Sequence, residues 1–137
     1  MRFVDTSVLL YAVSKAPEEK AKAELARGLL EERDLALSVQ VLQEFYVQAT
    51  RRGKKDPLTH EQAVLLIESW LRFPVQENTV ELLRAAFATC KRFGLSYWDA
   101  MIIEAARAFG CGTVLSEDFS SDQDYNGIRV TNPFAMC

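Results

Sequence analysis

The chain has 137 residues, of which 49% are hydrophobic and 26% are charged, and its net charge is −3. These values fit one globular domain, residues 1–137, with a substantial core, and they exclude the overall basic field that often accompanies nucleic-acid binding. No apolar run approaches the ~20 residues that span a bilayer, and with three cysteines in no metal-binding or paired pattern we expect a cytoplasmic protein without membrane association or disulfides.

The first half of the chain alternates short predicted strands with predicted helices. Arg2–Asp5 is the first strand, and a short helix follows it. The next helix begins near Pro17, because proline at a first helical position followed by acidic residues favours a helix start. A strand at Leu35–Ser38 and a helix at Val39–Arg52 come next, and Gly53 is a typical residue at a helix end.

The second half continues the alternation. Its predicted elements are helix 60–72, strand Phe73–Gln76, helix 79–93, helix 97–109, strand Thr113–Leu115 and strand Ile128–Val130. The first two of these helices begin at capping-box patterns, Thr59–Gln62 and Asn78–Glu81, and Ser96 caps the third. Because the strands are too far apart along the chain for hairpins, the pattern predicts an α/β fold. We expect a short, central parallel sheet of about four to five strands with helices on both faces.

Four acidic residues stand where an apolar segment meets a turn or a helix: Asp5, Glu44, Asp99 and Asp118. In open parallel sheets, ligands bind beyond the carboxyl ends of the strands, which is where Asp5 and Asp118 are expected. If one sheet gathers all four, their negative charges converge, and a divalent metal ion is the usual way to make such a cluster tolerable. The acids are therefore candidate metal ligands.

Each of these acids also has a structural explanation. Asp5 is equally well explained as the N-cap of the following helix. Ser96 and Asp99 resemble a capping box, although the apolar helix that follows is expected to be buried, and a buried acid needs a cation or hydrogen-bond donors. Glu44 projects away from the apolar stripe of its helix, as a solvated surface glutamate does. Asp118 lies in a polar loop, where such residues are common.

The segments around the four acids, in this order, resemble the PIN-domain fold of metal-dependent ribonucleases, and specifically the VapC-type toxins of toxin–antitoxin pairs. The segments that carry the motifs are 3–11, 38–45, 95–102 and 115–119. The closing segment, 128–134, resembles the last strand and the Asn-Pro-Phe ending of that family. The resemblance extends over nearly the whole chain.

The resemblance implies an enzyme that hydrolyses the phosphodiester bonds of RNA. It implies that Asp5, Glu44, Asp99 and Asp118 are catalytic and bind Mg²⁺ or Mn²⁺, metals that prefer hard oxygen ligands. For Glu44 this replaces the interpretation as a surface glutamate.

The resemblance also concerns supporting residues and partners. It implies that the hydroxyls of Thr6 and Ser116 orient carboxylates or a metal-bound water. The family often has threonine at the position of Ser116, and serine keeps the hydroxyl. Asp122 is the first choice for a fifth acid. The implied partners are an RNA substrate, a small cognate antitoxin that blocks the acids, and a second copy of the chain in a homodimer formed through the outer helices.

Four basic residues lie at the end of the predicted helix Val39–Arg52 or in the loop that follows it: Arg51, Arg52, Lys54 and Lys55. They are candidates for contacts with RNA phosphates, although an exposed, charged loop between two helices is the favoured explanation.

Other chemistries fit the sequence less well. The single histidine, His60, lies outside the motif segments, which disfavours zinc and excludes a histidine-pair ribonuclease. A haloacid-dehalogenase-type phosphatase needs a second aspartate where Ser7 stands, and no glycine-rich phosphate cradle is present. Two alternatives stay open: a non-catalytic binding or regulatory module with the same fold, and a nuclease that cuts structured DNA with the same acids.

Overall fold

The structure, a computed structural model, describes residues 1–119 and 123–137. The α-helices are α1 (Thr6–Ala12), α2 (Lys20–Leu30), α3 (Val39–Ala49), α4 (His60–Trp70), α5 (Val80–Phe93) and α6 (Tyr97–Ala108). The strands are β1 (Arg2–Val4), β2 (Leu35–Ser38), β3 (Val75–Gln76), β4 (Thr113–Leu115), β5 (Asp124–Tyr125) and β6 (Ile128–Thr131). Within these described ranges, none of the helices is long and apolar enough to cross a membrane.

The strands form one sheet with the order β3-β2-β1-β4-β6-β5. All neighbouring pairs are parallel except β5 and β6. In the pair β1 and β4, Val4 is in register with Leu115, so both strands end at the same edge of the sheet. The residues that follow them, Asp5 and Ser116, therefore start the next segments side by side.

The central strands are covered on both faces. All four residues of β2 are buried, and Phe3, Val4, Val114 and Leu115 are at most 4% exposed. Successive side chains of a strand point to opposite faces, so continuous burial requires packing on both sides of the sheet. The predicted α/β fold with helices on both faces is confirmed.

The end of the chain differs from the prediction, because β5 and β6 form an antiparallel hairpin. Its two-residue turn is Asn126-Gly127, in which both residues have positive φ angles, 55° and 94°. Asp124 Oδ1 accepts a hydrogen bond from the Gly127 amide at 2.6 Å. Asn-Gly is the preferred sequence for this kind of turn. The expectation that no hairpin is present was therefore wrong at this edge, where β5 extends the predicted sheet of about four to five strands to six.

Helix boundaries follow local capping chemistry. At α4 the predicted capping box is confirmed, with hydrogen bonds from the Gln62 amide to the Thr59 hydroxyl at 3.1 Å and from the Thr59 amide to Gln62 Oε1 at 2.9 Å. At α5 the cap is Thr79, which accepts from the Leu82 amide, so the predicted box at Asn78 was one residue too early.

Helix α3 ends earlier than predicted. Its last residue is Ala49, and the Thr50 hydroxyl donates to the Tyr46 carbonyl at 2.7 Å. The Leu58 amide then donates to the Ala49 carbonyl at 2.8 Å, so the loop folds back onto the helix end. Gly53 has a φ angle of 84° but lies within this loop, beyond the cap.

Candidate active site

Asp5 is a buried acid beyond the end of β1, with only 6% of its surface exposed. Its Oδ1 accepts from the Thr6 amide at 2.8 Å, which caps α1, and its Oδ2 accepts from the Ser116 hydroxyl at 2.6 Å. No cation from the described residues forms an ion pair with it. Asp5 is thus a helix cap whose carboxylate also lines a cleft.

Burial raises the pKa of Asp5 to about 6. The hydrogen bonds from Ser116 and Thr6 act in the opposite direction, while the negative charges of Asp118 and Glu44 raise the pKa further. The surrounding chain therefore compensates the ionised carboxylate incompletely. A cation bound beside it favours the ionised form, because an opposite charge offsets both desolvation and repulsion.

Glu44 is held at the cleft from α3. Its Oε2 accepts from the Thr6 hydroxyl at 3.1 Å, and its Oε1 accepts from the Gln40 side-chain amide at 2.9 Å. The same amide nitrogen donates to the Trp98 carbonyl at 3.1 Å, and Gln40 itself is buried. Glu44 is half-buried. The interpretation of Glu44 as a solvated surface residue was wrong.

Asp99 and Asp118 enter the same cleft from two further segments. Asp99 is half-buried in the first turn of α6, where its amide donates to the Ser96 hydroxyl at 3.1 Å. Asp118 is exposed, and its amide donates to the Ser116 hydroxyl at 3.0 Å.

Electrostatic coupling links these acids. Partial burial, and then the charge of Glu44, raises the pKa of Asp99. The pKa of Asp118 is raised by burial and by the charges of Glu117, Asp99 and Glu44. Asp99 and Asp118 are thus each close enough to another carboxylate for its charge to oppose their ionisation.

The cleft has a volume of about 460 Å³. All four predicted acids line it: Asp5, Glu44, Asp99 and Asp118. Thr6 also lines it, and Ser116 lies beneath it as a fully buried residue. Asp122 lies outside the described residues.

The residues fit a divalent metal in chemistry. The donors are carboxylate and hydroxyl oxygens, which Mg²⁺ and Mn²⁺ prefer, and the carboxylates repel one another in the absence of a cation. In residues 1–119 and 123–137, no group of three or more His, Cys, Asp or Glu side chains is already arranged to hold a metal ion.

The structure divides the predicted basic loop. Lys54 and Lys55 line the same cleft as the acids, whereas Arg51 and Arg52 are exposed and do not line it. His60 is exposed on α4 and is also outside the cleft.

A polar network that the sequence did not indicate forms another wall of the cleft. Glu117 accepts hydrogen bonds from the Tyr11 hydroxyl at 2.5 Å and from Lys22 Nζ at 2.7 Å, and its amide donates to the Ser7 hydroxyl at 3.2 Å. Lys22 thus forms an ion pair with Glu117, and these contacts hold the loop that carries the adjacent Asp118. The partners are 106, 95 and 110 positions apart, so no local pattern reveals them.

Comparisons with known proteins agree with this architecture. The PIN domain family model matches residues 2–122. The chain is similar in structure to VapC20 from Mycobacterium tuberculosis, a sarcin–ricin loop cleaving toxin, with 23% identity, coverage of 86% of this chain and 92% of that chain, and a TM-score of 0.68. No curated protein matches it significantly in sequence.

Two further solved structures are similar over almost their whole length. A toxin–antitoxin complex from Klebsiella pneumoniae has 18% identity, coverage of 97% of this chain and 98% of that chain, and a TM-score of 0.70. DNA-bound VapBC from Salmonella typhimurium has 19% identity, coverage of 96% and 97%, and a TM-score of 0.64. These similarities show a shared fold, and the family match spans all four acids of the cleft. The chain belongs to the PIN domain family.

Proposed function

We propose that the chain is a metal-dependent endoribonuclease and the toxin of a type II toxin–antitoxin pair. The observation that carries this proposal is the cleft of a PIN domain in which three further acids surround Asp5, a buried carboxylate without a cation partner among the described residues. The similar VapC20 structure is that of a toxin that cleaves the sarcin–ricin loop, which supports RNA as the substrate class.

The four acids would hold Mg²⁺ or Mn²⁺, with Asp5 as the fixed ligand at the floor. When bound, the ion supplies a Lewis acid for a phosphoryl oxygen and lowers the pKa of a coordinated water. The chain's own groups position the ligands: the Ser116 hydroxyl holds Oδ2 of Asp5, and the Thr6 hydroxyl holds Oε2 of Glu44. These bonds restrict both carboxylates to orientations that face the cleft.

The lysines that line the cleft, Lys54 and Lys55, would contact the phosphates of the bound strand. Lys22 is engaged with Glu117 and would hold the loop that carries Asp118 in place. Substrate binding and catalysis would thus use different residues of one cleft.

The partner in this proposal is a cognate antitoxin that covers the acids. The Klebsiella and Salmonella structures are a toxin–antitoxin complex and a VapBC complex, which supports such a partner. A toxin that acts on RNA would work in the cytoplasm. A homodimer formed through the outer helices stays a prediction, as does the organisation of residues 1–137 as one domain.

The proposal is tested by cleavage of a pool of transfer, ribosomal and synthetic single-stranded RNAs with Mn²⁺, with Mg²⁺ and with chelator. Wild type is compared with Asp99→Asn and with Asp34→Asn, a matched control whose carboxylate pairs with Arg2 outside the cleft. We expect discrete, metal-dependent cuts in wild type and Asp34→Asn, and loss of those cuts in Asp99→Asn.

Three other results would leave the proposal without support, each for a different reason. Equal cleavage by Asp99→Asn indicates a contaminating nuclease. Cleavage of structured DNA in place of RNA, in a parallel reaction, supports the DNA nuclease. Absence of cleavage by a folded wild-type chain that still binds a partner protein supports a non-catalytic module.

A further inference from the structure

Trp98 is an exposed aromatic residue beside the acids. Helix α6 is buried continuously from Ala100 to Ala106, yet the Trp98 side chain in its first turn is 62% exposed. It is the residue before Asp99, and it lines both the acidic cleft and an adjoining groove. Because this large apolar ring is exposed within the cleft that the acids line, it offers a contact surface to a molecule bound there.

The position of Trp98 is fixed by the same residue that holds a catalytic acid. The buried Gln40 amide donates to the Trp98 carbonyl at 3.1 Å and to Glu44 at 2.9 Å. The Tyr97 ring packs edge-on against the Trp98 ring, with centroids 5.0 Å apart and an interplanar angle of 75°. The indole is thus a supported platform at a defined place relative to Glu44 and Asp99.

The groove beside Trp98 has the chemistry of a base-binding site. It has a volume of about 510 Å³, and its lining residues are Gln40, Gln43, Glu44, Val47, Gln48 and Trp98. Gln43 and Gln48 are exposed and present amides, which both donate and accept hydrogen bonds. No lysine or arginine lines the described groove, so it does not suit a phosphate, whereas the Trp98 ring supplies a flat apolar face and the glutamine amides supply polar groups beside it.

We propose that Trp98 is the stacking platform for one unpaired nucleobase next to the scissile phosphate, and that Gln43 and Gln48 contact the edge of that base. This inference rests on the proposed ribonuclease function and names the substrate feature that the site recognises. Single-stranded RNA is bound elsewhere in this way, by aromatic stacking of unstacked bases and by hydrogen bonds to their edges. Trp98 would then select a single-stranded position at the cut.

The first test measures equilibrium binding of a short single-stranded RNA that contains a mapped cleavage site, with Mg²⁺, in an Asp99→Asn background that does not cut it. Adding Trp98→Ala should weaken binding about 5- to 150-fold, the range for loss of one stacked base, and Trp98→Phe should weaken it less. Leu65→Ala is the matched control, because Leu65 is 72% exposed on α4 and lines no part of the cleft or groove.

Abasic substitution identifies the contact directly. In the background protein, removal of one base beside the cut should weaken binding, and in Trp98→Ala the removal of that same base should cost nothing further. The dependence of affinity on salt should be unchanged by Trp98→Ala, because stacking releases no counterions. If Trp98 had only a structural role, Trp98→Ala would not abolish the effect of removing one particular base.

Fluorescence supplies an independent readout. The other tryptophan, Trp70, is 4% exposed and packs against Phe45, so Trp98 is the indole accessible to a ligand. RNA should quench the emission of the Asp99→Asn protein but not that of Asp99→Asn with Trp98→Phe.

Defined results overturn the inference. The stacking site would be overturned if the abasic site and Trp98→Ala each lowered RNA affinity independently, or if Trp98→Ala left RNA affinity unchanged. In either case, cleavage by wild type would still uphold the proposed function. Loss of antitoxin binding with unchanged RNA binding would assign Trp98 to a protein interface. Failure of wild type to cut any RNA would overturn both proposals.

Discussion

Two buried acids in this chain differ in how their negative charge is compensated. Asp5 at the cleft floor is 6% exposed and accepts hydrogen bonds from an amide and a hydroxyl, without a cation among the described residues. Glu104 on α6 is 7% exposed and accepts from the Thr89 hydroxyl at 2.7 Å and from the Arg107 guanidinium at 3.0 Å. The chain itself supplies the cation for Glu104 only.

The contrast supports the proposal that Glu104 is a structural acid and Asp5 a functional one. Arg107 also donates to the carbonyls of Tyr125 and Asn126, at 2.8 and 2.7 Å, so the ion pair attaches the terminal hairpin to α6. Asp5 is instead surrounded by further acids that raise its pKa. A buried charge that the fold does not neutralise is costly, and it persists where a ligand supplies the missing charge.

The largest expected effect is on cleavage by Asp5→Asn. Asparagine keeps the size of the side chain and the helix cap but removes the charge that we propose binds the metal. We expect RNA cleavage to fall by about 10²- to 10³-fold, the range for loss of one preorganised electrostatic group. Initial rates on a mapped RNA, at saturating Mg²⁺ or Mn²⁺, measure this change.

Glu104→Gln is the matched control for that experiment. It removes a carboxylate of similar burial and leaves Arg107 without a charged partner, so we expect the free energy of unfolding to fall by about 1–3 kcal/mol, toward the low end because the Arg107 side chain is 34% exposed. Cleavage by the folded fraction should be unchanged. Comparable loss of cleavage in both variants would show that Asp5 acts through stability, and the distinction between the two acids would fail.

The pH dependence of stability is the next largest effect. The pKa of Asp5 is about 6 in the folded chain and 3.8 ordinarily, so between these values the folded state holds a proton that the unfolded state has lost. The free energy of unfolding of the metal-free chain should therefore fall as the pH rises from about 4 to about 6, by at most ~3 kcal/mol from this group. The pKa values of Asp99 and Asp118 are shifted in the same direction.

Urea unfolding in chelator at a series of pH values measures this decline, and Asp5→Asn should remove most of it. Mg²⁺ or Mn²⁺ should reverse the trend, because the metal binds ionised carboxylates and raises the melting temperature more at neutral pH than at pH about 5. Glu104→Gln should keep both behaviours. A decline that persists undiminished in Asp5→Asn would place the responsible group elsewhere.

The features that the sequence predicted correctly depend on local chemistry. The capping box at Thr59 and the cap at Ser96 depend on neighbouring residues, and both are present in the structure. Asp5 was placed correctly because a parallel sheet aligns strand ends. The hairpin turn at Asn126-Gly127 is equally local, because Asn-Gly favours the positive φ angles of this turn, whereas the wide spacing of the other strands argued against a hairpin.

Contacts between distant segments explain what the sequence could not predict. Helical periodicity showed that Glu44 avoids the apolar stripe of α3, but it gave no information on the neighbouring α1, whose Thr6 contacts Glu44 across 38 positions. Gln40 likewise reaches Trp98 across 58 positions. The four acids could be named from a resemblance, whereas the residues that hold them required the tertiary structure.

The smallest expected effect concerns the cations of the loop after α3. Lys54 and Lys55 line the cleft, and Arg51 and Arg52 do not, so two double variants with the same loss of charge should behave differently. Replacing both lysines with glutamine should weaken RNA binding several-fold and lower the salt-dependence slope by about 1–2, because each phosphate contact releases roughly one counterion. Replacing both arginines should change little, and neither change should alter the metal-dependent rise in melting temperature.

Equal losses from the two pairs would show that only the loop's net charge matters, while no loss from the lysine pair would place the RNA backbone away from these lysines. A loss confined to the lysines would show that the cleft lined by the four acids also receives the phosphates of the RNA.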